Sequence, residues 1–171
     1  MATQRYIGTQ NGVIVCLNSV KEGISGQLWH SYSRDPVEFT DEFQALVKME
    51  ELFNELKFPF PGNNERSFTE PAERGRTAAR KKRGQAAAAG KDLDQKLEKV
   101  MRDEELLSMH GDLGTFIIRV QHRQNSSWQG RITWVEKDKT LNFRSVWEMV
   151  KLIDNAMEEF RTDEEDQEQT W

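Results

Sequence analysis

Apolar residues recur at every second position in four short stretches of this 171-residue chain, two near each end. An apolar residue at every second position is typical of a strand that buries one face. Turn residues at 21–23 and 125–127 separate the two stretches at each end, so each end is predicted to form a β-hairpin. The inward positions are Val13, Val15, Leu17 and then Ile24, Gly26, Leu28, His30, Tyr32 in the first hairpin, and Phe116, Ile118, Val120 and then Trp128, Gly130, Ile132, Trp134 in the second.

A helix is predicted behind each hairpin. Asp41 with Gln44, and Ser145 with Glu148, have the spacing of a capping box, in which side chains satisfy the free backbone N–H groups of a helix start. Apolar residues then recur every three or four positions, as on one helix face. These residues are Phe43, Leu46, Met49, Phe53, Leu56 in the first helix and Trp147, Val150, Ile153, Met157, Phe160 in the second.

The two ends also match each other when residues 24–56 are laid on residues 128–160. Only Gly26/Gly130, Phe39/Phe143 and Glu55/Glu159 are identical, but 11 apolar positions coincide, where chance would give roughly 6. Both capping boxes fall at the same aligned positions. The pattern therefore favours an internal repeat of a hairpin followed by a helix.

We accordingly expect an α+β fold built from two pseudo-repeated ββα units, residues 1–61 and 111–162. Neither unit alone could bury much core, and an isolated hairpin is marginal in water. The units are expected to pair into a four-stranded antiparallel sheet with the helices on one face. Pairing within one chain and pairing between chains in a domain-swapped dimer both remain open.

The middle of the chain differs from its ends. Residues 62–90 are rich in Ala, Arg, Lys and Gly and are interpreted as a flexible basic linker. Residues 91–110 are predicted to form a connecting helix, ending near Gly111. The acidic residues 163–171 are expected to be a disordered tail. The stripe that predicts the connecting helix is Leu93, Leu97, Val100, Glu104 and Leu107.

Composition narrows the class of protein. The chain is 36% apolar and 31% charged with a net charge of -5, and no apolar run or N-terminal signal indicates a membrane or secretion, so we expect a cytoplasmic protein. Its one cysteine, Cys16, cannot form an internal disulfide, and His30, His110 and His122 are too scattered for a zinc site. No metal and no cofactor are expected.

Two groups of residues are candidates for binding macromolecules. The sheet face away from the helices is expected to be a solvated surface, a protein or dimer interface, or a platform for single-stranded nucleic acid. A cation cluster in the linker could bind a polyanion, or the acidic surface of the chain itself. The sheet-face candidates are Trp29, Arg119, Gln121, Arg123 and Arg131, and the linker candidates are Arg74, Arg76, Arg80, Lys81, Lys82 and Arg83.

No catalytic site is predicted. Cys16, His30 and His122 lack partners at a spacing that would make a nucleophile or a base, and the chain has no phosphate-binding loop. We therefore expect a non-enzymatic cytoplasmic interaction protein, an adaptor or inhibitor that acts through its sheet face or an oligomer surface. The expected partner is another protein, which could be a second copy of the chain. No association with a membrane is expected.

Two alternatives are kept. The chain could bind nucleic acid through the basic linker and the arginine-rich sheet face. It could also be an acidic inhibitor of a nucleic-acid-handling enzyme, using its Asp and Glu surfaces.

Overall fold

A six-stranded antiparallel sheet organises the part of the chain that the computed structural model describes: residue 7 and residues 9–61, 97–124 and 127–168, with side chains as far as residue 161. Three helices accompany it there, so the fold is α+β. The strand order in the sheet is β3-β2-β1-β4-β5-β6. The elements are β1 (Val13–Ser19), β2 (Ser25–Trp29), β3 (Val37–Phe39), α1 (Glu42–Leu56), α2 (Asp103–Leu107), β4 (Gly114–His122), β5 (Gln129–Trp134), β6 (Lys139–Phe143) and α3 (Val146–Glu168).

The sheet is wider than the four strands that the sequence predicted. Both predicted hairpins are present, as β1 with β2 and β4 with β5, and β1 pairs with β4 within one chain. Each hairpin is followed by a third strand, β3 or β6, which forms an edge of the sheet. Each half of the chain therefore runs strand, strand, strand, helix.

The main core lies between the sheet and the two long helices. The inward positions of β1 and β4 are all buried there, as the alternation predicted, together with Met49 and Phe53 of α1 and Ile153 and Met157 of α3. The N-cap half of each predicted capping box is present, while the return bond from the side chain of Gln44 or Glu148 goes to the N–H one residue earlier, of Thr40 or Arg144. The N–H of Gln44 donates to Asp41 Oδ1 at 2.8 Å and that of Glu148 to Ser145 Oγ at 3.0 Å, so each helix begins where the sequence placed it.

The predicted apolar face of each helix fails at the first turn. Phe43 is 73% exposed and Trp147 is 69% exposed, although both were expected to face the core. The buried stripe begins further along, with Met49 in α1 and Met149 in α3. Each helix therefore starts with an aromatic side chain in solvent.

A β-bulge interrupts the central strands at corresponding places in the two halves. In β1 the register shifts between Leu17 and Ser19, and in β4 between Val120 and His122. A glycine lies opposite each bulge: a Cβ at Gly26 would come 1.9 Å from a carbonyl oxygen of β1, and one at Gly130 would come 2.0 Å from a carbonyl oxygen of β4. Glycine at these positions lets the backbones approach closely.

The outer face of the sheet is covered at its centre. Met101 and Leu106 pack with Ile14, Cys16 and Ile117 in a second, smaller core. The backbone N–H groups of Val100 and Met101 both donate to the carbonyl of Ser31, which holds this covering segment on the sheet. The two central strands are therefore buried on both faces.

The connecting segment is less helical than predicted. Residues 97–102 form no helix, and α2 spans only five residues, Asp103–Leu107. At the other end α3 continues to Glu168, so the expected disordered tail is helical over residues 163–168. The predicted linker 62–90 and the first part of the connecting helix lie outside the described residues.

Candidate interaction surfaces

Exposed aromatic residues mark the outer surface of the two long helices, α1 and α3, which together we call the helix layer. Phe43 and Val47 lie one turn apart on α1, and Trp147 lies on the first turn of α3. The ammonium group of Lys151 lies 5.1 Å from the Trp147 ring centroid. Single exposed apolar side chains are ordinary on a protein surface, but here two aromatic residues and a valine lie on one layer, and Trp is enriched in binding hot spots.

The helices themselves lie side by side over the centre of the sheet. Leu46 and Met49 of α1 face Met149, Val150 and Ile153 of α3 across a cavity of only about 30 Å³, roughly the space of one water molecule. The space between the helices is therefore filled, and a partner would meet side chains that project from the helix layer.

The helix layer is acidic. Glu42–Leu56 carries four acidic side chains and one basic one, and residues 146–161 of α3 carry four acidic and two basic. The six strands carry one acidic side chain, Glu38, and three basic ones, Arg119, Arg131 and Lys139, with His122 left out of the count. Negative charge beside exposed aromatics favours a partner that is both basic and apolar.

Three of the predicted sheet-face residues do lie on the outer face. Arg119 of β4 and Arg131 of β5 are direct cross-strand neighbours. Burial first, and then the charge of Arg131, lower the pKa of Arg119, whose Nε donates to the carbonyl of Ile7 at 2.6 Å. Arg131 and Gln121 are exposed, so this part of the face can be reached from solvent.

Trp29 lies apart from these arginines. Its cross-strand neighbour is Ile14 on β1, and its half-buried ring packs against the smaller core. The aromatic and basic members of the predicted platform are thus separated by the covered centre of the sheet. The linker cluster from Arg74 to Arg83 lies outside the described residues.

Arg123 does not belong to the outer face, and its assignment to that face is wrong. The bulge after Val120 reverses the alternation, so Arg123 points toward α1 and is only 4% exposed. It donates to the carbonyl of Pro59 at 2.7 Å, to Asn54 Oδ1 at 2.8 Å and to Glu50 Oε1 at 3.0 Å. Its role is to connect the second hairpin to α1.

The residues considered as catalytic candidates differ in exposure: Cys16 is buried, His30 is half-buried and His122 is exposed. Cys16 is buried in the smaller core, and burial, with a smaller contribution from the charge of Glu136, raises its pKa to about 12. His30 is half-buried, and its Nδ1 accepts a hydrogen bond from the N–H of Tyr32 at 3.2 Å. Burial lowers the pKa of His30. A thiol with so high a pKa is not a nucleophile near neutral pH.

The described residues contain neither a cluster of metal-binding side chains nor a helix that could span a membrane. In this part of the chain no group of three or more His, Cys, Asp or Glu side chains could hold a metal ion. No described helix combines the length and the apolar character needed to cross a membrane.

No protein family, curated protein or solved structure matches the chain.

The helix-layer aromatics were missed as surface residues because helical spacing alone assigned them to the core. The available signal was their position, since Phe43 and Trp147 each follow the N-cap by two residues. The buried side chains begin later, at Met49 in α1 and at Met149 in α3.

Proposed function

We propose that this chain is a non-enzymatic interaction protein, an adaptor or inhibitor, that binds a basic, apolar surface of another protein through its helix layer. The observation that carries this proposal is the pair of exposed aromatics, Phe43 and Trp147, on an acidic surface. Apolar contact would supply affinity, and charge would select and attract a basic partner.

The charge of the helix layer also bears on self-association. Two copies of an acidic surface repel each other, so this surface favours a partner of opposite charge over a second copy of the chain. A homodimer through another surface stays part of the wider proposal, and light scattering on the purified protein tests it.

The burial of Cys16, whose pKa is raised to about 12, supports a role without a thiol nucleophile. A cytoplasmic location is part of the same proposal. We also propose that the two halves are copies of one unit, because the bulges, glycines and N-cap bonds fall at corresponding positions.

Binding to a defined peptide tests the helix layer. The probe is a helical peptide of alternating Leu and Lys blocks, titrated by calorimetry, with an acidic Leu/Glu peptide and oligolysine for comparison. We expect the Leu/Lys peptide to bind saturably, and neither the Leu/Glu peptide nor oligolysine to do so. Salt should weaken the binding of the Leu/Lys peptide. Trp147→Ser should weaken it by about tenfold or more, as truncating a hot-spot aromatic does.

A matched control is available in Phe60, which is 78% exposed but lies outside the helix layer. Phe60→Ser should leave peptide binding unchanged. The proposal is wrong if oligolysine binds as well as the Leu/Lys peptide, or if Phe43→Ser and Trp147→Ser bind as tightly as the parent protein.

A second candidate function is nucleic-acid binding, which the neighbouring Arg119 and Arg131 favour. Such binding should fall linearly with salt on logarithmic scales, and charge reversal at residues 80–83 and at Arg131 should flatten the slope. Failure of a single-stranded oligonucleotide to shift in a gel at low salt would remove this candidate.

A further inference from the structure

Two clefts lie between the sheet and the helices, one in each half of the chain, at corresponding positions. The first is lined by residues of β1, β2, β3 and α1, and the second by residues of β4, β5, β6 and α3. The pairs Leu28/Ile132, His30/Trp134, Val37/Leu141, Lys48/Leu152, Glu51/Asn155 and Leu52/Ala156, all 104 positions apart, occupy equivalent places in the two linings.

The second cleft differs from the first in chemistry and in size. Where the first has His30, Lys48 and Glu51, the second has Trp134, Leu152 and Asn155. Its volume is about 300 Å³, against about 210 Å³ for the first. The small side chain of Ala156 takes the place of Leu52, which accounts for part of the extra space.

The walls of the second cleft are rigid elements. Its floor is two rows of cross-strand neighbours, Phe116 with Trp134 and Ile132 with Leu141, and its roof is one face of α3. The Phe116 and Trp134 rings stack with centroids 6.0 Å apart. Leu141 is 41% exposed at the mouth. A volume of this size suits a small organic molecule, and most of the lining is apolar.

Lys139 indicates the polar end of such a molecule, because it is the charged side chain among the described residues of the lining. The buried Nε1 of Trp134 has no acceptor among the described residues, but the protein itself covers this atom, so a ligand in the cleft does not reach it. The ammonium group of Lys137 lies 5.4 Å from the Trp134 ring centroid and also pairs with Glu159. Lys139, the cross-strand neighbour of Trp134, is exposed in the lining of the cleft.

We propose that the second cleft binds a small apolar carboxylate, with the hydrocarbon part against Leu141, Leu152 and Ala156 and the carboxylate beside Lys139. The ammonium group of this exposed lysine supplies the opposite charge and donates to the carboxylate oxygens. The first cleft does not suit the same ligand, because Glu51 and Glu55 line it. This site is independent of the helix-layer proposal.

Octanoate is the probe, and the indole ¹H–¹⁵N signal of Trp134, assigned through its loss in Trp134→Phe, is the readout. We expect this signal to move saturably with octanoate and to stay in place with octylammonium. Octanol should bind more weakly than octanoate. Equal binding of octanol and octanoate, or no movement of the signal with octanoate, would overturn the proposal.

Two variants and a control locate the site. Ala156→Trp fills the cleft and should weaken octanoate binding by about tenfold or more, because the ligand loses its space. Lys139→Glu, a change at an exposed residue that does not depend on repacking, should weaken octanoate and leave octanol unchanged. Lys48→Glu makes the same charge reversal in the first cleft and should change neither. Equal effects of Lys139→Glu and Lys48→Glu would contradict the assignment.

Discussion

Replacing Arg123 gives the most direct test of the fold. Its guanidinium group is buried against α1, makes the three hydrogen bonds to Pro59, Asn54 and Glu50, and reaches the carbonyl of Phe53 at 3.4 Å. The group also lies 5.7 Å from the centroid of the Phe53 ring. One side chain thus connects the second hairpin to both the side chains and the backbone of the first half.

The expected cost follows from what each partner would lose. Hydrogen bonds to a charged group contribute about 1.5 to 3 kcal/mol each, but bonds that share one side chain do not add. The Glu50 side chain is 42% exposed, so its carboxylate can be hydrated again and part of the loss is recovered. The carbonyl of Pro59 and Oδ1 of Asn54 lose their donor, whereas the carbonyl of Phe53 still accepts from the N–H of Phe58. We therefore expect Arg123→Ala to lower the free energy of unfolding by about 3 kcal/mol.

The assay is urea unfolding followed by circular dichroism, with Arg131→Ala as the matched control. Arg131 is an exposed arginine on the neighbouring strand, and its replacement should change the free energy of unfolding by no more than about 0.5 kcal/mol. Arg123→Lys keeps the charge but loses the forked geometry and should fall between the two. A loss below about 1 kcal/mol for Arg123→Ala, or equal losses at the two arginines, would refute the reasoning.

The remaining predictions concern the sheet, the smaller core and a helix cap. Gly26→Ala and Gly130→Ala should each lower the free energy of unfolding by about 2 kcal/mol or more, since the new Cβ meets a carbonyl of the next strand; Ser25→Ala is the control. Raising the pH above about 9 should destabilise the protein by up to about 1.4 kcal/mol per pH unit, because the unfolded chain loses the Cys16 proton first while the folded thiol, with its pKa raised to about 12, keeps it. Cys16→Ala should flatten that slope in urea titrations from pH 8 to 10.5, and an unchanged slope would contradict the assignment. Asp41→Ala should cost about 1 kcal/mol by thermal unfolding, as loss of an N-cap does, and no loss would show that the cap bond adds nothing.

The hairpins and the helix starts could be predicted because their signals are local. Alternation over β1 and β4 and a capping box at each long helix depend only on neighbouring residues. The edge strands could not be predicted in the same way. Val37 and Phe39 in β3, and Leu141 and Phe143 in β6, do lie at alternate positions, but two apolar residues are too few to identify a strand.

The predicted orientation of Arg123 is wrong because one extra residue interrupts the alternation of β4. Extending the alternation past Val120 places Arg123 on the outer face, and the bulge there moves it to the inner one. Nothing in the strand itself marks the bulge. The indirect signal is Gly130 on the partner strand, because a glycine inside a strand often lies opposite such an irregularity.

The covering of the outer face did have a sequence signal. Residues 13–17 are apolar without interruption, which indicates a strand buried on both faces better than one with a solvated side. The covering segment was harder to predict because it is mostly extended, and its contacts with Ser31 are made by backbone groups, which any sequence carries.

The burial of β1 and β4 on both faces determines where this chain can recognise anything. A flat platform across the sheet centre is excluded. Among the described residues the helix layer, the clefts beside the edge strands and the exposed Arg131 end of the outer face stay accessible. Trp147 and Lys139 lie on different elements, α3 and β6, and contribute to different proposed surfaces. If both proposals hold, Trp147→Ser should weaken peptide binding and leave octanoate binding unchanged, and Lys139→Glu should weaken octanoate binding and leave peptide binding unchanged. A variant that lost both would indicate a disturbed fold, which the unfolding curve of the same sample would show.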